Sequence, residues 1–186
     1  MSQTPPRSRR LFFALWPEPA QQRTLAQTVA ALVPEGAGGR AVPAENLHLT
    51  LAFLGAVAEE ALPRLRATAA ALQSPEGEAA ALEVTLDALQ YWPRAKLVCA
   101  VPMTPVPELA AIAETLKQAL IGAGFRPDLK PFRAHVTLTR KVASAPSALT
   151  LPPQRWSFEK FSLIESRTAA GGSIYSVVDF WPLYSA

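Results

Sequence analysis

A histidine–apolar–threonine–leucine pattern occurs twice in this chain, and the repetition constrains the fold more than any other feature. It reads His48-Leu49-Thr50-Leu51 and His135-Val136-Thr137-Leu138. The chain contains two histidines in 186 residues, and both lie in this pattern. Thr fills 12 of the 186 positions, so the double coincidence has chance odds of roughly one in a few hundred, before the matching leucines are counted. In a strand, side chains at i and i+2 share a face. Each imidazole therefore projects beside its threonine hydroxyl, while Leu49, Leu51, Val136 and Leu138 point the other way, into a core. One such strand in each half predicts two mirrored halves that place two imidazoles and two hydroxyls around one cleft.

The rest of the chain supplies the elements for such halves. Leu11 to Trp16 is an apolar run closed by Pro17 and reads as a buried strand. Pro19 opens a helix with Leu25, Val29, Leu32 and Val33 on one face, ended by Pro34 and the stretch Gly36 to Gly39. Leu47 to Leu54 reads as the second strand, stopped by Gly55, and Glu59 to Leu72 as an Ala-rich helix with Pro63 near its first turn. After a loop at Ser74 to Glu78, strands at Leu82 to Gln90 and Lys96 to Val101 flank a turn containing Tyr91, Trp92, Pro93 and Arg94. Pro107 starts a helix with Leu109, Ile112, Ala113, Leu116 and Leu120 on one face, terminated by Gly122 and Gly124. A strand at His135 to Arg140 follows, then a Pro-rich loop around Pro146 to Pro153. Strands at Ser157 to Arg167 and Ser173 to Trp181, joined by Gly171 and Gly172, complete the chain. The mixture is α+β rather than a regular βαβ series.

Composition narrows the class further. Hydrophobic residues make up 49% of the chain, enough for a sizeable core, and no apolar run reaches the length of a membrane span. The run after the polar start is too short for a secretory signal. Residues 1–10, with Arg7, Arg9 and Arg10 near Pro5 and Pro6, read as a basic flexible leader, and residues 11–186 as a single bilobal domain. A net charge of +3 with a pI near 9.3 is compatible with an anionic substrate without establishing one. The single cysteine, Cys99, lies in an apolar run and reads as a buried strand residue. It forms no internal disulfide, which fits a reduced, cytoplasmic protein, and nothing in the sequence demands more than a monomer.

Paired imidazoles suit acid–base chemistry, since one ring near neutral pH removes a proton while the other donates one. A zinc site fits poorly, because the two histidines lie 87 positions apart (135 − 48) without cysteines or clustered carboxylates to complete the ligand set. No G-x-S-x-G nucleophile elbow, Walker A or Rossmann glycine pattern occurs.

Four segments carry a family likeness: RLFFAL (Arg10 to Leu15), ENLHLTLAFLG (Glu45 to Gly55), PFRAHVTLTR (Pro131 to Arg140) and FSLIES (Phe161 to Ser166). With the closing strand that holds Tyr175 and Phe180, they cover nearly all of Arg10 to Pro182. On these residues the sequence resembles the LigT-type RNA 2′,3′-cyclic phosphodiesterases of the two-histidine phosphoesterase superfamily, once called 2′–5′ RNA ligases. The resemblance implies a bilobal α+β fold, an antiparallel sheet with flanking helices in each lobe, and a central cleft. It implies water attack on an RNA terminal 2′,3′-cyclic phosphate to leave a 2′-phosphate, with no metal and no nucleotide cofactor. His48 matches the general acid and His135 the general base; Thr50 and Thr137 match the phosphate-contacting hydroxyls. Arg140 matches the arginine of an extended H-x-T-x-x-R form, although strict alternation puts it on the face opposite His135. The strand must end, twist or bulge for it to reach the site. Ala134 departs from the proline often found before the second histidine. Phe13 and Phe132 are candidates to stack on a base or wall the cleft, and Trp92 and Arg94 sit in a turn that reads equally as a substrate contact or a hairpin tip. The resemblance also allows reversible 2′–5′ RNA ligation, and two rivals remain: an esterase of small cyclic nucleotides or 2′–5′ linked oligonucleotides using the same four side chains, and a non-catalytic RNA-end or nucleotide-binding protein.

Overall fold

The computed structural model describes residues 7–32, 39–72, 81–145, 150–169 and 172–183. Its strands are β1 (Ser8–Leu15), β2 (Arg40–Ala41), β3 (Leu49–Ala58), β4 (Leu82–Trp92), β5 (Leu97–Val101), β6 (Val136–Arg140), β7 (Thr150–Phe158), β8 (Lys160–Ala169) and β9 (Gly172–Pro182). Among the described residues three α-helices interrupt them: α1 (Pro19–Leu32), α2 (Leu62–Ala70) and α3 (Pro107–Gly122). The strands form one antiparallel sheet in the order β7-β4-β5-β6-β3-β1-β8-β9, with β2 beside β6. The two expected lobes are thus two four-stranded halves of one sheet, joined where β3 meets β6.

One face of the sheet carries the core. Leu49, Leu51, Val136 and Leu138 are buried there, as the strand pattern predicts, together with Leu25 and Val29 of α1, Leu65 of α2, and Leu109, Leu116 and Leu120 of α3. A second, smaller cluster of Phe12, Ala14 and Ile164 forms apart from it. These three alternate along β1 and β8 with core residues Leu11, Phe13, Leu15 and Leu163, so they occupy the opposite face.

The structure moves several predicted boundaries. β1 starts at Ser8 rather than Leu11: Ser8, Arg9 and Arg10 pair with Ala58, Val57 and Ala56, and Arg9 donates to Glu165 at 2.7 Å. The basic stretch assigned to the leader therefore ends inside the sheet. β3 runs past Gly55, which takes φ 71° opposite Leu11 and sits in a register shift instead of stopping the strand. Tyr91 and Trp92 belong to β4, not to the turn. Pro152 and Pro153 lie within β7, which tolerates them because among the described residues it pairs on one side only, with β4. A break at Glu159 separates β7 from β8 where the sequence suggested one strand. The predicted loop at 74–78 lies outside the described residues.

Phe13 is completely buried against Phe161 and Trp181, with ring centroids 6.0 and 5.8 Å away. Phe13→Ala should therefore lower unfolding stability by about 3–5 kcal/mol in chemical denaturation. A loss under about 1 kcal/mol would mean the ring is not a core residue.

Candidate active site

The two histidine strands meet at a single residue pair, Leu49 opposite Val136. Each histidine immediately precedes its member of that pair. Extending the antiparallel register by one residue either way sets His48 across from Thr137 and Thr50 across from His135. Leu49 and Val136 point into the core, so these four side chains share the opposite face. They form a rectangle with the imidazoles at diagonal corners. Neighbouring strands extend its rows with small residues: Ala14 lies opposite Thr50, and Cys99 opposite Thr137. Cys99 is buried, and burial pushes its thiol pKa up to about 11, so it is no nucleophile.

The strands also share a defect. β6 shifts register against β5 between Thr137 and Thr139, leaving Leu138 as an extra residue. Leu138 and Thr139 are consequently both buried, and Arg140 returns to the face of Thr137. The obstacle that strict alternation raised is removed by this bulge. Arg140 is close enough that its charge lowers the pKa of both histidines. β3 has the matching shift beyond Thr50, and there Phe53 takes the place equivalent to Arg140.

Both imidazoles are held the same way. The Nδ1 of His48 lies 2.7 Å from the Asn46 carbonyl, and that of His135 lies 2.8 Å from the Arg133 carbonyl. A carbonyl only accepts, so each Nδ1 carries the proton and each Nε2 is the nitrogen left for chemistry. Nε2 of His48 is 3.1 Å from the Thr50 hydroxyl. Burial pushes the His48 pKa down to about 4, against the Asn46 carbonyl and with help from the positive charges of Arg140 and His135. His135 is lowered by the same cause, with Arg133 and Arg140 adding to it.

Aromatic rings surround His48. Trp16 lies parallel to it at 5.1 Å and 8°, Tyr175 meets it edge-on at 5.3 Å, and Phe12 sits 5.0 Å away. Phe12, not Phe13, is therefore the ring at the site; Phe13 faces the core and cannot stack on a base. Trp92 covers His135 at 4.6 Å, with the Arg133 guanidinium on it at 4.8 Å. Phe132 is half-buried and lines a depression with Trp92 and Arg133. Sequence reasoning missed Phe12, Trp16 and Asn46 as site residues. The only signal for Trp16 was its position at the end of the first apolar run. Among the described residues, no three His, Cys, Asp or Glu side chains are grouped to hold a metal ion, and no helix is long and apolar enough to cross a membrane.

The sequence model of the 2′-5′ RNA ligase superfamily matches residues 16–170. The chain belongs to that superfamily. Its similarity extends to the superfamily's RNA 2′,3′-cyclic phosphodiesterases from Escherichia coli K12, 33% identical over 94% of this chain and 96% of that one, and from Thermus thermophilus, 31% identical over 94% and 90%. Among solved structures, E. coli LigT complexed with 3′-AMP superposes with a TM-score of 0.85 at 30% identity, covering 95% of this chain and 99% of that one. In this superfamily member, the two histidine strands are the central pair of the sheet.

The low His48 pKa links the site to stability. Unfolded, the ring titrates near 6.5; folded, near 4. Between these values the unfolded chain binds more protons, so this contribution is fully present above pH 6.5 and is lost as pH falls toward 4. The melting temperature of the wild type should drop more steeply over that window than that of His48→Asn. Parallel curves would show that the ring is not held neutral by burial.

Proposed function

We propose that the chain hydrolyses RNA terminal 2′,3′-cyclic phosphates to 2′-phosphomonoesters by acid–base catalysis between two histidines. The observation that carries this reading is the diagonal rectangle of His48, Thr50, His135 and Thr137, in which carbonyl acceptors hold both Nδ1–H groups and so leave each Nε2 as the unprotonated nitrogen. The chain is an enzyme of the phosphoric ester hydrolase class, and its curated relatives are RNA 2′,3′-cyclic phosphodiesterases.

A phosphorus atom centred on the rectangle has an imidazole on either side, as in-line displacement requires. Nε2 of His135 takes a proton from water as its oxygen bonds to phosphorus. The bond from phosphorus to the 3′ oxygen breaks, and that oxygen takes a proton from Nε2 of His48. Thr50 and Thr137 donate to the non-bridging oxygens, and the Arg140 guanidinium offers a two-pronged contact to the same charge. Phe132 and the rings around His48 supply faces for a base. Every proton in this scheme moves between imidazole, water and ribose oxygen, so no metal is needed. Burial keeps His48 neutral in the empty site; the negative phosphate raises its pKa and charges it on binding. A cytoplasmic monomer acting on RNA ends, or on a small cyclic nucleotide, completes the reading.

The direct test is an RNA ending in 2′,3′-cyclic phosphate, incubated in excess EDTA, with the product isomer identified. The 2′-phosphate should accumulate. His48→Ala and His135→Ala should each lose on the order of 10²–10⁴ in rate while staying folded. A leaving group that needs no protonation should rescue His48→Ala but not His135→Ala; the opposite rescue swaps the roles. Both limbs of the kcat profile should lie at higher pH than those of kcat/KM, because bound phosphate raises both rings. Near wild-type rates in both single variants would sink the mechanism. Arg140→Ala should weaken binding and slow turnover, with Arg140→Lys a partial rescue, since an ammonium cannot make the two-pronged contact. Full activity in Arg140→Ala would remove it from the site.

A further inference from the structure

Beside His48 lies a depression of about 300 Å³ whose walls include Arg40, Asn46, Arg140, Lys141, Ser173 and Tyr175. That is the lower end of the size range for small-ligand sites. It adjoins the reacting centre, since Asn46 and Tyr175 both contact His48. The Asn46 side chain also donates to the Ser173 carbonyl at 3.0 Å, tying the depression's wall to the segment that orients the imidazole.

Three cations converge here, and no described lining residue is a carboxylate. Arg40 stands directly opposite Arg140 in the β2–β6 ladder, and Lys141 follows in the chain. Like charges in directly opposed sheet positions destabilise the fold. None of the three appears in an ion pair among the described residues. Room is made for them nonetheless. The Arg40 guanidinium lies on Gly172, where a Cβ would collide with its Nη2. Lys141 adopts φ 60°, a left-handed conformation that non-glycine residues seldom take. Uncompensated charge held at a conformational cost is what an anion site needs.

The reacting phosphate already has its place between Thr50 and Thr137, so this anion is a second one. In the hydrolysis proposed above, the ribose and the remaining RNA lie on the leaving-group side, which is the side of His48 and of this depression. We infer that Arg40 and Lys141, beside Arg140, form a subsite for the phosphodiester immediately upstream of the cyclic phosphate. The enzyme thereby distinguishes an RNA end from a cyclic mononucleotide. The inference rests on the hydrolytic reading for the direction of the chain, and on Arg40 and Lys141 for the ligand's charge, since Arg140 serves the reacting phosphate.

The test compares kcat and KM for a 2′,3′-cyclic mononucleotide, for the di- and trinucleotides ending in it, and for the dinucleotide with an uncharged methylphosphonate linkage. Wild type should show a KM lower by on the order of tenfold for the dinucleotide, the scale of a charge-assisted contact, and little further gain for the trinucleotide. The methylphosphonate should behave as the mononucleotide does. Arg40→Gln and Lys141→Gln should leave mononucleotide kinetics within about twofold, since a subsite residue contributes only when its phosphate is present, and should lose the dinucleotide advantage. Equal KM values in wild type, an advantage that survives the methylphosphonate, or variants that slow both substrates alike would overturn the subsite. If wild type hydrolyses neither substrate, the hydrolytic reading fails. Calorimetric binding of the 2′-phosphate-ended dinucleotide and mononucleotide to wild type and Arg40→Gln then decides the subsite by itself: a charge-dependent preference that Arg40→Gln removes supports it, and equal affinities overturn it.

Discussion

The site depends on one backbone pairing, Leu49 with Val136, where the two halves of the sheet meet. Both side chains are completely buried, so the helices fix the junction from below. The residues on either side of it are thereby presented upward in a set order. Side chains mounted on packed strands hold their geometry better than side chains on loops. Beyond the junction, β2 takes over from β3 as the neighbour of β6, pairing at Thr139 and Arg140, and this brings Arg40 beside the site.

Burial is the second constraint, and it acts against charge. The packing of Phe12, Trp16 and Tyr175 around His48 strips water from the ring and disfavours its protonated form. In the proposed mechanism the same packing leaves the anion of a bound phosphate as the main compensation, and proton donation by His48 is coupled to occupancy by the substrate's own charge.

Much of this was legible in the sequence because strands have a period of two. That period put the imidazoles with the threonines and the leucines with the core, and both assignments hold in the structure. It failed where the backbone departs from it. Arg140 reaches the face of His135 because Leu138 is an extra residue in its strand, and a bulge leaves no mark in a run as regular as VTLTR. Phe12 and Phe13 were indistinguishable because β1 lies inside the sheet with apolar residues on both faces; the register to β3, not hydrophobicity, separates them. Pro152 and Pro153 suggested a loop because the edge position of β7 is a property of the whole sheet. Arg40 gave no local signal, since what matters about it is a partner 100 residues away (140 − 40).

The matching bulges in β3 and β6 leave a centre whose reactive groups are nearly interchangeable, with Phe53 and Arg140 at corresponding places. A cyclic phosphate is itself nearly interchangeable end for end, since either ribose oxygen can be set opposite the attacking water as the leaving group. Four residues alone would accept it in either sense and release a mixture of isomers. Handedness in the outcome must come from what breaks the likeness: a ring where the other half has a guanidinium, and three aromatic rings around one imidazole where, among the described residues, Trp92 alone covers the other. In the proposed hydrolysis, regiochemistry is therefore written in the least symmetric residues of the cleft rather than in the two histidines.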